Sequence, residues 1–68
     1  MIVIRFAAIR ENLLSELKQE WIDTATIDES ASCTKQKADE LDSRAPEFAE
    51  NHKVVRIVKV RIEEIGGE

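Results

Sequence analysis

The side chains able to do chemistry in this chain are few, and their spacing keeps them apart. His52 is the single histidine and Cys33 the single cysteine among 68 residues. A nucleophilic Cys–His pair needs both groups at hydrogen-bond reach, but these two flank opposite ends of one helical segment. Cys33 reads as a small buried helix residue, and His52 as a cap on the turn from helix to strand. With one histidine and one cysteine, a metal site would rest on carboxylates, a poor donor set for zinc. An intramolecular disulfide is excluded. Asp28–Glu29, Asp39–Glu40 and Glu63–Glu64 are sequence neighbours that do not face one another, so none makes an acid/base pair in contrasting environments. There is no glycine-rich phosphate loop, and so short a chain has little volume for a substrate pocket. The sequence predicts no catalytic residue, no metal and no cofactor.

The remaining chemistry is cationic. Arg5, Lys59 and Arg61 could align across neighbouring strands and meet partner carboxylates or phosphates. Sheet-based RNA readers add exposed aromatics for stacking. Here Phe6, Trp21 and Phe48 are the only aromatics, and a core would claim all three. The net charge of −4 also argues against a dedicated nucleic-acid binder. Acidic residues concentrate between Glu11 and Glu50, while Arg56, Lys59 and Arg61 sit near the C-terminal end.

These residues need strands and a helix to position them. From Arg56 onward, Val58, Val60 and Ile62 alternate with Ile57, Lys59, Arg61 and Glu63, the period-two pattern of a strand; the strand is expected over 53–65. Met1 to Arg10 has the same period, with Ile2, Ile4, Phe6 and Ala8 on one face and Val3, Arg5, Ala7 and Ile9 on the other. Both faces are largely apolar, which suits a central strand. Residues 21–27, WIDTATI, are aromatic and β-branched and predict a strand, with 11–16 a turn or short helical piece before it. Asp28-Glu29-Ser30 offers helix caps. Ala31, Thr34, Ala38, Leu41 and Ala45 recur at helical spacing, with Pro46 ending the helix near Arg44.

The expected fold is a single α+β domain, β-β-α-β, spanning residues 1–68. Its three-stranded antiparallel sheet has the order 2-1-3, one helix covers one face, and 66–68 form a flexible tail. The expected core is Ile2, Ile4, Phe6, Trp21, Ala25, Ile27, Ala38, Leu41, Phe48, Val58, Val60 and Ile62. The opposite face would then carry Val3, Arg5, Ala7, Ile9, Ile22, Thr24, Thr26, Ile57, Lys59 and Arg61. A water-facing sheet surface usually alternates cleanly to polar residues, so Val3, Ile9, Ile22 and Ile57 there mark a contact site, a face covered by a second helix over 11–20, or apolar residues that lie scattered.

A domain this size buries only ~60% of its unfolded surface, so modest stability is expected. No apolar run approaches the ~20 residues of a membrane span. Without a basic leader before the first apolar residues, the expected compartment is the cytoplasm.

The opening MIVIRFAAIRE resembles the first strand of the small subunit of molybdopterin synthase, and Gly66-Gly67 is similar to that family's C-terminal Gly-Gly. The resemblance implies a β-grasp fold and a terminal glycine carboxylate that carries sulfur. Glu68 follows the glycines, so a free glycine carboxylate would require its removal.

The leading expectation is a small non-catalytic protein-binding module using Arg5, Ile22, Ile57, Lys59 and Arg61. Short acidic chains of this kind are common among accessory or inhibitor proteins of phages and mobile elements that act on larger protein or nucleoprotein complexes. That source is an analogy. The alternatives are the sulfur carrier, a weak nucleic-acid binder through a basic sheet face, and a homodimer joined through that face or the last strand's edge.

Overall fold

A computed structural model describes residues 1–63. The order of elements is β1 (Ile2–Asn12), β2 (Glu20–Asp28), α1 (Ala31–Arg44), α2 (Pro46–Asn51) and β3 (His52–Glu63). The sheet is antiparallel with the order β2-β1-β3, and α1 packs on it. This is the β-β-α-β arrangement that the alternating and helical periods predict.

Local chemistry explains the boundaries. After Asn12 the chain turns through an Asx bond, Asn12 Oδ1 accepting from the Leu14 amide at 3.0 Å. The turn closes at Lys18, whose φ of 47° lies in the left-handed region, disfavoured for a side chain with a Cβ. Ser30 caps α1, its Oγ accepting from the Cys33 amide at 3.1 Å. Pro46 cannot continue α1 and instead opens α2, where a missing amide is harmless. A second short helix thus occupies the turn expected after Pro46. Cys33, expected to be buried, is exposed. His52 does lie where helix passes to strand, with Nδ1 3.0 Å from the Phe48 carbonyl.

Two irregularities set which side chains share a face. Along β1 the pairing with β3 runs without interruption from Ile2 to Ile9 and then slips once: Ile9 opposes Arg56, but Arg10 opposes Val54. Val55 is the extra residue of a bulge. On the other side Phe6 opposes Asp28 while Ala8 opposes Asp23, so β2 bulges between those positions. β1 itself alternates regularly. Its even-numbered residues face α1, as the Arg10–Asp42 ion pair shows, and its odd-numbered residues face away.

The expected core is corrected by this register. Opposed residues lie on the same side of a sheet. Ile57, Lys59 and Arg61 oppose Ala8, Phe6 and Ile4 on the helix face, while Val58, Val60 and Ile62 oppose Ala7, Arg5 and Val3 on the other. Reading β3 alone yields its two faces but not which of them meets the helix. Of the expected core, only Ala38 is fully buried; Ile2, Ile4, Trp21, Ala25, Phe48 and Ile62 are exposed. Ile2 and Ile4 lie on a two-stranded ribbon with the end of β3, past the reach of β2.

The centre is small and half polar. The buried apolar residues are Ala7, Ala8, Ile9 and Ala38, beside buried Arg10, Asp23, Thr26 and Thr34. At 18 Å in its thinnest dimension, the molecule has the depth of one sheet and one helix layer.

Candidate functional site

The helix face is organised around Arg10. Its guanidinium is fully buried, with Nε donating to Asp23 Oδ2 at 2.6 Å and Nη1 to the His52 carbonyl at 2.8 Å. Nη2 lies 2.9 Å from Asp42 Oδ1, close enough for an ion pair but off the line a hydrogen bond requires. Burial opposes the charge, but the hydrogen bond to Asp23 and the attraction of Asp23 and Asp42 outweigh it and raise the Arg10 pKa. The Phe48 ring lies 5.2 Å from the guanidinium carbon and stacks on His52 at 4.3 Å between centroids. Trp21 meets both rings edge-on at 6.2 Å. All three nitrogens of the guanidinium are directed at the protein itself, so Arg10 joins β1, β2, α1 and β3 rather than presenting its charge to a ligand.

The edge of β1 beside the β2 bulge is sealed by side chains. The Ala8 amide donates to Thr26 Oγ1 at 2.8 Å, and that hydroxyl donates to the Asp23 carbonyl at 2.6 Å. Thr34 Oγ1 of α1 donates to the Phe6 carbonyl at 3.0 Å, and Arg5 Nη1 to the Ile4 carbonyl at 2.9 Å. Backbone groups that a strand would pair are thus occupied, which blunts this edge against strand addition. The outer edge of β3 is protected differently, by the Val55 bulge and by Lys53, Arg56, Lys59 and Arg61.

The face away from α1 is different in kind. Val3, Ala7 and Ile9 of β1 lie there beside Val58, Val60 and Ile62 of β3, with Ile22 from β2. Both helices lie on the other side, and among the described residues no secondary-structure element covers this face. Ile22 is 47% and Ile62 43% exposed. Charges stand at its ends. Arg5 lies toward one; Glu11, Glu20, Lys53 and Arg56 lie at the other. Arg56 Nη2 and Glu20 Oε1 meet at 2.7 Å from strands on either side of β1, strapping the buried Ile9. That hydrogen bond lowers the Glu20 pKa and raises that of Arg56.

The five residues expected to form one binding face are therefore divided. Arg5 and Ile22 lie on the open face; Ile57, Lys59 and Arg61 lie on the helix face, where the Lys59 ammonium sits 6.0 Å from the centre of the Phe6 ring. The three cations do not line up. Val58, Val60 and Ile62, assigned to the core from the sequence, take the place of Ile57, Lys59 and Arg61 on the open face. Arg10, Asp23, Asp42 and Thr26 have no such place in the sequence reading, while Thr34, on the helix stripe it assigns inward, is buried. The one available signal was an arginine and an aspartate at inward positions of two neighbouring strands.

Among the described residues no cavity is present and no three His, Cys, Asp or Glu side chains gather into a metal-binding group. No described helix is long and apolar enough to cross a membrane. Gly66 and Gly67, which carry part of the sulfur-carrier resemblance, lie outside the described residues. Comparison with protein families, curated proteins and solved structures finds no match.

Proposed function

We propose that this protein is a small non-catalytic protein-binding module whose contact surface is the open sheet face. One observation carries the reading: half-buried Val3, Val58 and Val60 and exposed Ile62 and Ile22 share a sheet face with no described helix over it, while both helices and every aromatic ring described above crowd the opposite side. Exposed apolar patches rimmed by charge mark protein contacts. Arg5 and the Glu20–Arg56 pair supply such a rim, where charge sets orientation and rate more than affinity. The division of Arg5 from Lys59 and Arg61 speaks against a nucleic-acid reading, which needs cations tracking a backbone.

The test is capture of protein from lysate by the tagged chain, with and without nuclease, for three forms. Val60→Glu puts a charge in the open face and should abolish capture. Lys59→Glu with Arg61→Glu alters the helix face and should leave it intact. Capture lost in the second variant but kept in the first would overturn the assignment, and loss of all capture after nuclease would move the function to nucleic acid.

A further inference from the structure

We infer that the outer edge of β3, from Ile57 to Glu63, is a second contact site, and that its ligand is an extended acidic peptide added to the sheet as an antiparallel strand beyond β3. The site is distinct from the open face and stands independently of it.

The backbone directions follow from the register. Antiparallel strands alternate between opposed pairs that bond to each other and pairs whose amides and carbonyls turn outward. The Ala8 amide donates to Thr26 of β2, so Ala8 and its β3 partner Ile57 form an outward pair. From there the pairing runs without a slip to Ile2 and Glu63. Lys59 and Arg61 therefore turn their backbone groups outward as well, while Val58 and Val60 bond to β1. β3 is the last strand of the sheet on that side, so these groups meet no strand.

The molecule treats its edges unequally. On β1, side chains occupy the Ile4 and Phe6 carbonyls and the Ala8 amide. On β2, Asp23 Oδ1 accepts from the Ala25 amide at 3.1 Å, and Lys37 Nζ donates to the Ile27 carbonyl at 3.2 Å. Among the described residues, no side chain bonds the outward amides or carbonyls of Ile57, Lys59 and Arg61. A row of donors and acceptors at strand spacing is complementary to the backbone of another extended chain. Past the Val55 bulge, the regular stretch from Ile57 to Glu63 offers about 23 Å of such edge.

Side chains set the ligand's character. Opposed residues share a face, so ligand residues opposite Lys59 and Arg61 lie beside those cations, and the residues between them lie beside Val58, Val60 and Ile62. Lys59 and Arg61 are both exposed. Glu63 stands 3.5 Å from Arg61 and Glu64 follows in the sequence, but Arg5, opposite Val60, adds a third cation and the stretch remains positive. α1, packed on the same side, balances Lys35, Lys37 and Arg44 against Asp39, Glu40 and Asp42. The fitting ligand alternates acidic residues with apolar ones. Cations on an edge strand deter strands of like charge, and that same repulsion selects a strand of opposite sign.

A heptapeptide of alternating glutamate and valine, titrated into the isotope-labelled full chain and followed by amide NMR, tests this. Hydrogen exchange at the Ile57, Lys59 and Arg61 amides should slow on binding, with Val58 and Val60, already bonded to β1, little changed. The glutamates oppose Lys59 and Arg61, so their amides are the ones that turn toward β3. Methylating the glutamate amides should abolish binding, and methylating the valine amides should leave it. A peptide of alternating lysine and valine should not bind the native chain, but should bind Lys59→Glu with Arg61→Glu. No response at millimolar peptide overturns the inference, as do equal effects of the two methylations, equal binding of the lysine peptide, or slowed exchange confined to β1 or β2. The native titration needs no variant, so misfolding of the charge-reversed chain cannot mask the answer. Lysate capture by Val60→Glu probes the open face separately, so either site can fail without the other.

Discussion

Arg10 is the residue on which the helix face depends. A buried ion pair contributes little net stability beside a well-packed apolar replacement, but removing one partner leaves a buried charge uncompensated. Asp23 is that partner, at 2.6 Å from a guanidinium with no exposure. Asp23→Ala should lower unfolding stability in urea by about 3 kcal/mol, enough to unfold much of a small domain. Arg10→Met combined with Asp23→Ala should cost clearly less than the two single losses added together, because the double change leaves neither charge stranded. Equal additivity in that cycle would show that the pair is not coupled. The sequence holds little warning of this arrangement. An arginine ending an apolar strand reads as the strand's solvent boundary, and its burial depends on Asp23, Asp42 and the His52 carbonyl converging from three distant segments.

At the scale of elements, the strands were legible because β-branched alternation is a local property, and α1 because Ser30, its small-residue stripe and Pro46 are local too. The partnership between strands was not. Within β3, Val58, Val60 and Ile62 separate correctly from Ile57, Lys59 and Arg61. Which set faces α1 is decided by register against β1, and a shift of one residue exchanges the faces. The bulges at Val55 and in β2 between Asp23 and Asp28 leave no turn-residue signature in the sequence. Thr26 shows how the second is held: one hydroxyl both accepts from the Ala8 amide and donates to the Asp23 carbonyl. Thr26→Val keeps the shape and removes both bonds, so it should destabilise by about 1–3 kcal/mol, the cost of leaving buried polar groups unsatisfied. Thr26→Ser should recover most of that loss. Equal stability of the two variants in denaturant titration would contradict this account of the bulge.

For the whole molecule, the thin architecture makes stability depend on cross-strand and strand-to-helix ties. Glu20, bonded to Arg56, and Asp28, bonded to the Glu29 amide and to Lys37, both have lowered pKa values. Carboxylates with lowered folded pKa contribute stability that is present above their unfolded values, about 4.3 for Glu and 3.9 for Asp, and lost as pH falls through the folded ones. Thermal midpoints should therefore drop on acidification below about pH 4, and Glu20→Gln with Asp28→Asn should flatten that acid limb. An unchanged limb in the double variant would assign acid sensitivity elsewhere.

The central claim is that the face away from α1 is the one that another protein covers, and β3 offers a direct measurement of it. Single cysteines at positions 58, 59, 60 and 61, introduced with Cys33→Ser, can be followed by thiol-labelling rates of the chain alone and of the chain in complex with the protein it captures from lysate. The account predicts alternation: positions 58 and 60 are protected in the complex and label freely in the chain alone, while 59 and 61 label at the same rate in both. Protection of 59 and 61 instead, or no protection of any of the four in the complex, would contradict it.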